Sequence, residues 1–333
     1  MKQEKRRQLA KIAYLYYEEG KSQAEIAAET GIYRTTVSRM LTKAKSEGIV
    51  KIEIQDFDRR LYRLEKYVQE KYGLKGLELV ENSTDEDQLD LENRLAQAAA
   101  DMLTNLIDDG KKVGFSWGRS LSLIVDKIGN HRMKGVKFVP IAGGPSHIHA
   151  RYHVNTLIYD MANKFRGECS FINATIIQEN QELAQGILSS KYFEELRADW
   201  KDLDVAAIGI GGRVDEKNRQ WLDMLTTADF QALSDEGAVG ETCCRGLNQY
   251  GQAIVEDLQK RTIAISLDDL KEVPDTIALA YREEKAQAIL AVLRAGYIHH
   301  LVTDERTIVK VLELDNDVHV HTNLGSLSTV VGR

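Results

Sequence analysis

The 333-residue sequence is 43% hydrophobic with three prolines, which gives enough apolar material for a packed core and excludes a disordered chain. Its net charge of -7 is unevenly placed: residues 1–54 carry eleven Lys/Arg against seven Asp/Glu (+4), and the remainder carries 33 against 44 (-11). No apolar run approaches the roughly 20 residues that span a bilayer, and the basic start, MKQEKRRQLAKIAYLYYEEG, has charges on both sides of a short apolar stretch, unlike a secretory signal. A cytoplasmic protein with no membrane partner is expected. Cys169, Cys243 and Cys244 lack metal-type spacing, and adjacent cysteines bridge each other only with strain, so reduced thiols fit that compartment.

In chain order, the first segment reads as three short helices. Leu9, Ile12, Ala13 and Tyr16 recur at helical spacing until Gly20. Ser22-Gln23-Ala24-Glu25 is a capping box that opens a second helix, which Gly31 breaks. A third helix, over about 33–46, buries Val37, Met40, Leu41 and Ala44; Gly48 ends it, and residues 49–54 alternate like a short strand or wing. Residues 57–72 form an amphipathic helix whose Leu61, Leu64 and Val68 offer an apolar face as a connector or dimer contact. A long helix over about 86–109 follows. Strand-like stretches at 112–116, 136–142, 203–210, 276–280 and 300–303 then alternate with helical ones. That alternation predicts an α/β body with a mostly parallel sheet. From about Asp315 the periodicity fades and the chain reads as a flexible tail. The expected division is a small head at 1–55 and a large body at 56–333.

The head has the parts of a helix-turn-helix in order: a capped support helix, a glycine turn, and a second helix with one buried stripe and one polar face. Arg34, Thr35, Thr36, Ser38, Arg39 and Lys43 lie on that face; Tyr33 is placed to touch a base methyl or sugar, and Ser22 and Gln23 begin the support helix. N-terminal residues of such a helix reach base edges and the basic residues beyond meet phosphates. A helical protein-interaction domain is the competing reading. The local basic charge favours DNA, because phosphate neutralisation supplies most nonspecific affinity.

In the body, Gly114-Phe115-Ser116-Trp117-Gly118-Arg119-Ser120 follows a strand and precedes an apolar helix. Such a loop can set backbone N–H groups and hydroxyls at a helix N-terminus, where an anion is favoured. Gly143-Gly144-Pro145-Ser146 and Gly209-Ile210-Gly211-Gly212 follow other strands, and glycine turns after successive parallel strands gather on one sheet edge, where α/β folds place their crevice. Glu241 is suited to accept hydrogen bonds from sugar hydroxyls and Lys285 to pair with a phosphate, although composition alone also allows plain surface charges. Trp117 either stacks on a sugar or packs under its loop. His147, His149 and His153, like His319 and His321, read as loop or tail histidines, because no carboxylate or cysteine set accompanies them. No metal or cofactor is expected.

YYEEGKSQAEIAAETGIYRTTVSRML, GFSWGRSL, the GGPS turn, AIGIGG, GAVGE and EEKAQAILAVLRAGYIHHLVTDE together resemble the SorC family of bacterial sugar-responsive transcription regulators. The resemblance implies a helix-turn-helix joined to a sugar-phosphate-binding domain similar to glucosamine-6-phosphate deaminases and ribose-phosphate isomerases. It also implies a homodimer or homotetramer whose hold on operator DNA changes with a phosphorylated sugar. In that pattern the GFSWGRS and GGPS loops hold the effector, and Glu241 and Lys285 match positions that contact it. Some relatives hold an aldehyde sugar through a Schiff base just before the GG turn; Ala142 stands there, so no such adduct is expected. An isomerase or deaminase-like enzyme with a DNA-binding head is the rival class, but isomerisation needs a paired acid and base, and no second carboxylate or histidine sits at a convincing motif position. A DNA binder without a ligand fits poorly with the glycine-rich loops and the large body.

Overall fold

Helices α1 (Lys2–Tyr17), α2 (Gln23–Thr30) and α3 (Arg34–Ser46) follow the apolar spacing of the head. The computed structural model describes residues 2–52, 58–83, 85–145, 149–214 and 224–318, and the chain divides into two compact units, Met1–Asp58 and Arg59–Arg333. In the first unit Ile12, Leu15, Ile26, Val37 and Leu41 form one apolar cluster and Leu9, Ala13 and Ala44 another. Ser22 opens α2 as expected: its hydroxyl accepts the Glu25 N–H at 3.3 Å, and its own N–H donates to the Glu25 carboxylate at 2.8 Å. Gly31 takes the left-handed φ of +68° that turns the chain toward α3. Two expectations change. Met40 is half-buried rather than buried. Residues 49–52 form bends and coil rather than a wing strand, because Ile49 and Val50 both pack inward against the Leu9 cluster instead of alternating; residues 53 and 54 lie outside the described set.

The second unit opens with α4 (Arg59–Tyr72), β1 (Gly76–Val80), α5 (Gln88–Leu106), β2 (Lys112–Phe115), α6 (Arg119–Lys127) and β3 (Lys137–Pro140). It continues with α7 (Val154–Phe165), β4 (Glu168–Cys169), α8 (Gln181–Ser189), α9 (Lys191–Lys201), β5 (Val205–Ile208), β6 (Ile210–Gly211) and α10 (Thr227–Asp235). The remainder is β7 (Gly240–Thr242), β8 (Arg245–Leu247), α11 (Glu256–Arg261), α12 (Leu267–Glu272), β9 (Asp275–Leu279), α13 (Ala286–Ala295), β10 (His300–Asp304) and α14 (Glu305–Leu314). Seven strands pair in parallel in the order β1-β10-β9-β5-β2-β3-β4, while β6, β7 and β8 form a small antiparallel sheet. Central strands read as continuous apolar runs because helices cover both faces: all four residues of β5 are buried. Phe115, Phe138 and Phe165 pack through the core as tilted rings with centroids 6.3 and 5.5 Å apart.

The stripe on α4 is occupied within its own unit. Leu64 and Val68 are buried in the large core and Leu61 packs against it, so this face is not left open for pairing with a second copy. The expected flexible tail is also corrected at its start. Asp315 accepts from Tyr72 at 2.9 Å and from Arg294 at 2.6 Å, and Asp317 accepts from Tyr67 and from Lys71 at 2.7 Å. Short-range charge pairing, invisible to periodicity, holds that segment against α4; residues 319–333 lie outside the described set.

Candidate functional site

On α3 the polar face is open. Arg34, Thr35, Thr36, Ser38 and Arg39 are exposed, and Tyr33, the residue before the helix, is 84% exposed although it is a large aromatic. Lys43 lies 3.5 Å from Glu47, which reduces its reach. The Ser22 hydroxyl is engaged as a cap, and Gln23 is half-buried.

In the second unit, β2 leads to β3 on one side of the sheet while β5 lies on its other side. Loops leaving such a reversal point diverge and open a crevice at the carboxyl ends of the strands. A cavity of about 360 Å³ lies there. Ser116 through Leu121 after β2, Gly209 through Gly211 after β5, Glu241, Cys243 and Cys244 of the small sheet, and Tyr281, Arg282 and Lys285 after β9 line it. Gly118, at φ +130°, precedes α6 and lets the chain turn sharply into the helix. The N–H groups of Arg119, Ser120 and Leu121 therefore begin α6 at the cavity wall, without a preceding helical turn to accept them.

The small sheet aims the acidic end. Cys243 and Cys244 form the two-residue loop between β7 and β8, with φ of +48° and +59°. Both residues of such a hairpin turn need positive φ, a conformation that non-glycine residues adopt at a cost of about 1–3 kcal/mol each. The strained turn directs the Cys244 N–H to Glu241 at 3.0 Å. Burial pushes the Cys243 thiol up to about 12 and raises the Cys244 thiol well above its ordinary value, with the nearby Glu241 charge acting in the same direction on both. Both cysteines are therefore protonated wall groups, and Trp117 packs under its loop at 8% exposure. Gly211 admits Glu241: a Cβ there would sit 2.0 Å from the carboxylate oxygen.

Burial pushes the Glu241 carboxyl up to about 7, against the pull of the Cys244 N–H and the Lys285 charge. Burial likewise lowers Lys285, whose ammonium donates to the Ile210 carbonyl at 2.9 Å. A carboxyl raised in the folded state favours folding at low pH, and that contribution is lost as pH rises to its folded value. Between about pH 4.5, its ordinary value, and pH 7 Glu241 therefore weakens the fold progressively. Glu241→Gln should show a smaller fall in melting temperature than the wild type across that window, and identical falls would contradict the assignment.

At the cavity mouth Arg119 and Arg282 both reach Glu92 of α5, a carboxylate only 3% exposed. Burial alone would raise Glu92, but hydrogen bonds from Arg119 and Arg282 outweigh it and hold the group below the usual carboxylate range.

Of the residues singled out in the sequence, Ser116, Trp117, Gly118, Arg119, Ser120, Gly211, Glu241 and Lys285 meet around one cavity. Gly114, Gly143, Gly144 and Gly212 do not. Gly114 is a packing position inside β2, where a Cβ would strike Ile141 at 2.5 Å. Gly143 and Gly144 are buried, and their N–H groups donate to the carbonyls of Ile263 at 2.8 Å and Ala174 at 3.1 Å, so they are not available to cradle an anion. Ser146 lies outside the described residues. Sequence reasoning missed Glu92, Cys243, Cys244, Tyr281 and Arg282. The last two immediately follow a strand-like stretch, and the carboxyl-edge rule applied there would have found them; Glu92 sits mid-helix and carries no local signal.

Residues 59–313 match the Sugar-bind family model, a sugar-binding domain, and residues 12–51 match a winged helix-turn-helix DNA-binding family. The chain is similar to the sorbitol operon regulator of Klebsiella pneumoniae, at 35% identity over 308 residues, covering 90% of this chain and 96% of that one. Among solved structures it is similar to a transcriptional regulator from Streptococcus pneumoniae TIGR4 at 55% identity and a TM-score of 0.76, covering 79% of this chain and 100% of that one. It is also similar to the full-length sorbitol operon regulator SorC from Klebsiella pneumoniae, at 33% identity and a TM-score of 0.71 over 91% of this chain and 97% of that one.

Proposed function

Because the chain belongs to the SorC family of transcription regulators, with a DNA-binding helix-turn-helix and a sugar-binding domain, we propose that its cavity takes a phosphorylated sugar whose binding changes the grip on operator DNA. The protein is a regulator and not an enzyme, as its close homologues are. One observation carries the ligand reading: the start of α6, Arg119, Arg282 and Lys285 converge on a cavity whose lining includes one carboxylate, Glu241, among the described residues. The excess of cations and free N–H groups suits an anion, and Glu241, whose carboxyl burial pushes up to about 7, suits the hydroxyl end of a sugar. The proposed effector site is Ser116, Trp117, Gly118, Arg119, Ser120, Gly211, Glu241 and Lys285.

The DNA-bound form is proposed to be at least a homodimer, because paired heads read half-sites one helical turn apart or multiples of it. With the α4 stripe buried, pairing would use another surface. The proposed setting is the cytoplasm, where operator DNA and reduced thiols coexist. The test is a thermal-shift screen of phosphorylated sugars beside their unphosphorylated parents. A ligand at a hundredfold its Kd should stabilise the protein by about 2.7 kcal/mol. Stabilisation by neutral sugars alone would contradict the anion assignment.

A further inference from the structure

Glu92 is a buried carboxylate outside the cavity lining. Its Oε1 accepts from Arg119 at 3.1 Å, from Arg282 at 3.0 Å and from Gln88 at 3.2 Å, while Oε2 accepts a second N–H from Arg119. Its two cationic partners are 27 and 190 residues away in sequence.

A purely structural ion pair would balance its charges, and one with apolar replacements is often no less stable. Here two guanidinium groups share one carboxylate, leaving a net positive charge at the mouth of the cavity that Arg119 and Arg282 line. Their side chains remain 43% and 44% exposed. Each guanidinium has five N–H donors, and Glu92 takes two from Arg119 and one from Arg282. The backbone of Arg282 is held at φ +84°, a costly conformation for a residue with a side chain. Cys243, Cys244 and Arg282, which line the cavity, are three of the six positive-φ non-glycine residues among those described. Strain gathered at one place is characteristic of a site held in a set geometry for a ligand.

We infer that Glu92 is a positioning residue that holds Arg119 and Arg282 as a two-armed clamp for the anionic group of the effector. The inference rests on the phosphorylated-sugar reading above. Glu92 touches no ligand; it fixes the direction of the two forks, so that their remaining N–H groups meet the anion without first losing side-chain freedom.

The sign of one substitution separates orientation from charge. Glu92→Gln removes a negative charge near the bound anion, and by Coulomb's law alone that strengthens anion binding. Weaker binding can therefore come only from lost orientation. The experiment titrates the full chain with inorganic phosphate at constant ionic strength, with chloride as the control, and reads both melting temperature and calorimetric affinity. Wild type is expected to bind phosphate saturably, and Glu92→Gln to bind it about tenfold or more weakly. Arg282→Gln, a change at a partly exposed side chain, provides a second route and should also weaken phosphate, which keeps the test intact if Glu92→Gln does not fold. Phosphate affinity in Glu92→Gln equal to or tighter than wild type overturns the positioning role alone; if that variant does not fold, undiminished phosphate affinity in Arg282→Gln does so. A wild type indifferent to phosphate and to every phosphorylated sugar overturns the anion reading of the cavity itself.

Discussion

Alanine at Lys285 should leave sugar-free operator binding unchanged and shift the response to sugar to much higher sugar concentrations. The lysine stands at the carboxyl edge of the sheet in the second unit, and its ammonium donates to the Ile210 carbonyl at 2.9 Å. Nothing in the first unit depends on that bond. In the cavity its loss is twofold: an anion or hydroxyl loses a charged donor, and Glu241 loses the cation that restrains its pKa. A hydrogen bond to a charged group contributes about 1.5–3 kcal/mol, roughly a 10–150-fold loss of sugar affinity. Glu241 would also shift further upward, so the variant's remaining affinity should depend on pH differently from wild type. Calorimetric titration with the best hit of the sugar screen, beside a DNA titration without sugar, measures both. A variant that responds to sugar like wild type would remove Lys285 from the site.

The head should fail differently at two of its exposed arginines. Arg34 is the first residue of α3 and Arg39 lies further along the same open face. Neither belongs to the apolar clusters built from Val37, Leu41 and Ala44, so alanine at either should leave the fold intact. If an arginine reads a base edge, its loss costs about 1–3 kcal/mol and relaxes specificity at one position. If it meets a phosphate, binding weakens on all sequences and the salt slope shrinks by about one. Operator and nonspecific DNA titrated over a series of salt concentrations distinguish the two. Unchanged binding in both variants would remove α3 from the groove.

Much of this arrangement was legible in the sequence because it rests on local signals. The Ser22 capping box, the Gly31 turn and the Val37–Leu41–Ala44 stripe define the head without knowledge of the rest of the chain. The central strands were visible as apolar runs, and the loop from Ser116 to Ser120 as a turn into a helix. The glycines of GGPS were misread because glycine serves two purposes, backbone exposure to a ligand and close packing of chain on chain. Gly143 and Gly144 do the second, and only the neighbouring Ile176 backbone and His153 ring reveal it. The α4 stripe could be read as a connector or a dimer contact for a related reason: an apolar face shows that something covers it, not whether the cover is another copy or the chain's own core, and here it is the core. Glu92 was invisible because its meaning lies in partners on α6 and after β9, brought together only by the sheet order.

The central claim is a coupling between two sites, and coupling is reciprocal. The direct measurement is operator affinity with and without a saturating phosphorylated sugar, together with sugar affinity of the free and the operator-bound protein. The two ratios should agree, and typical couplings place them at about 5–150-fold. A sugar that binds the cavity tightly yet leaves operator affinity unchanged at saturation would contradict the account.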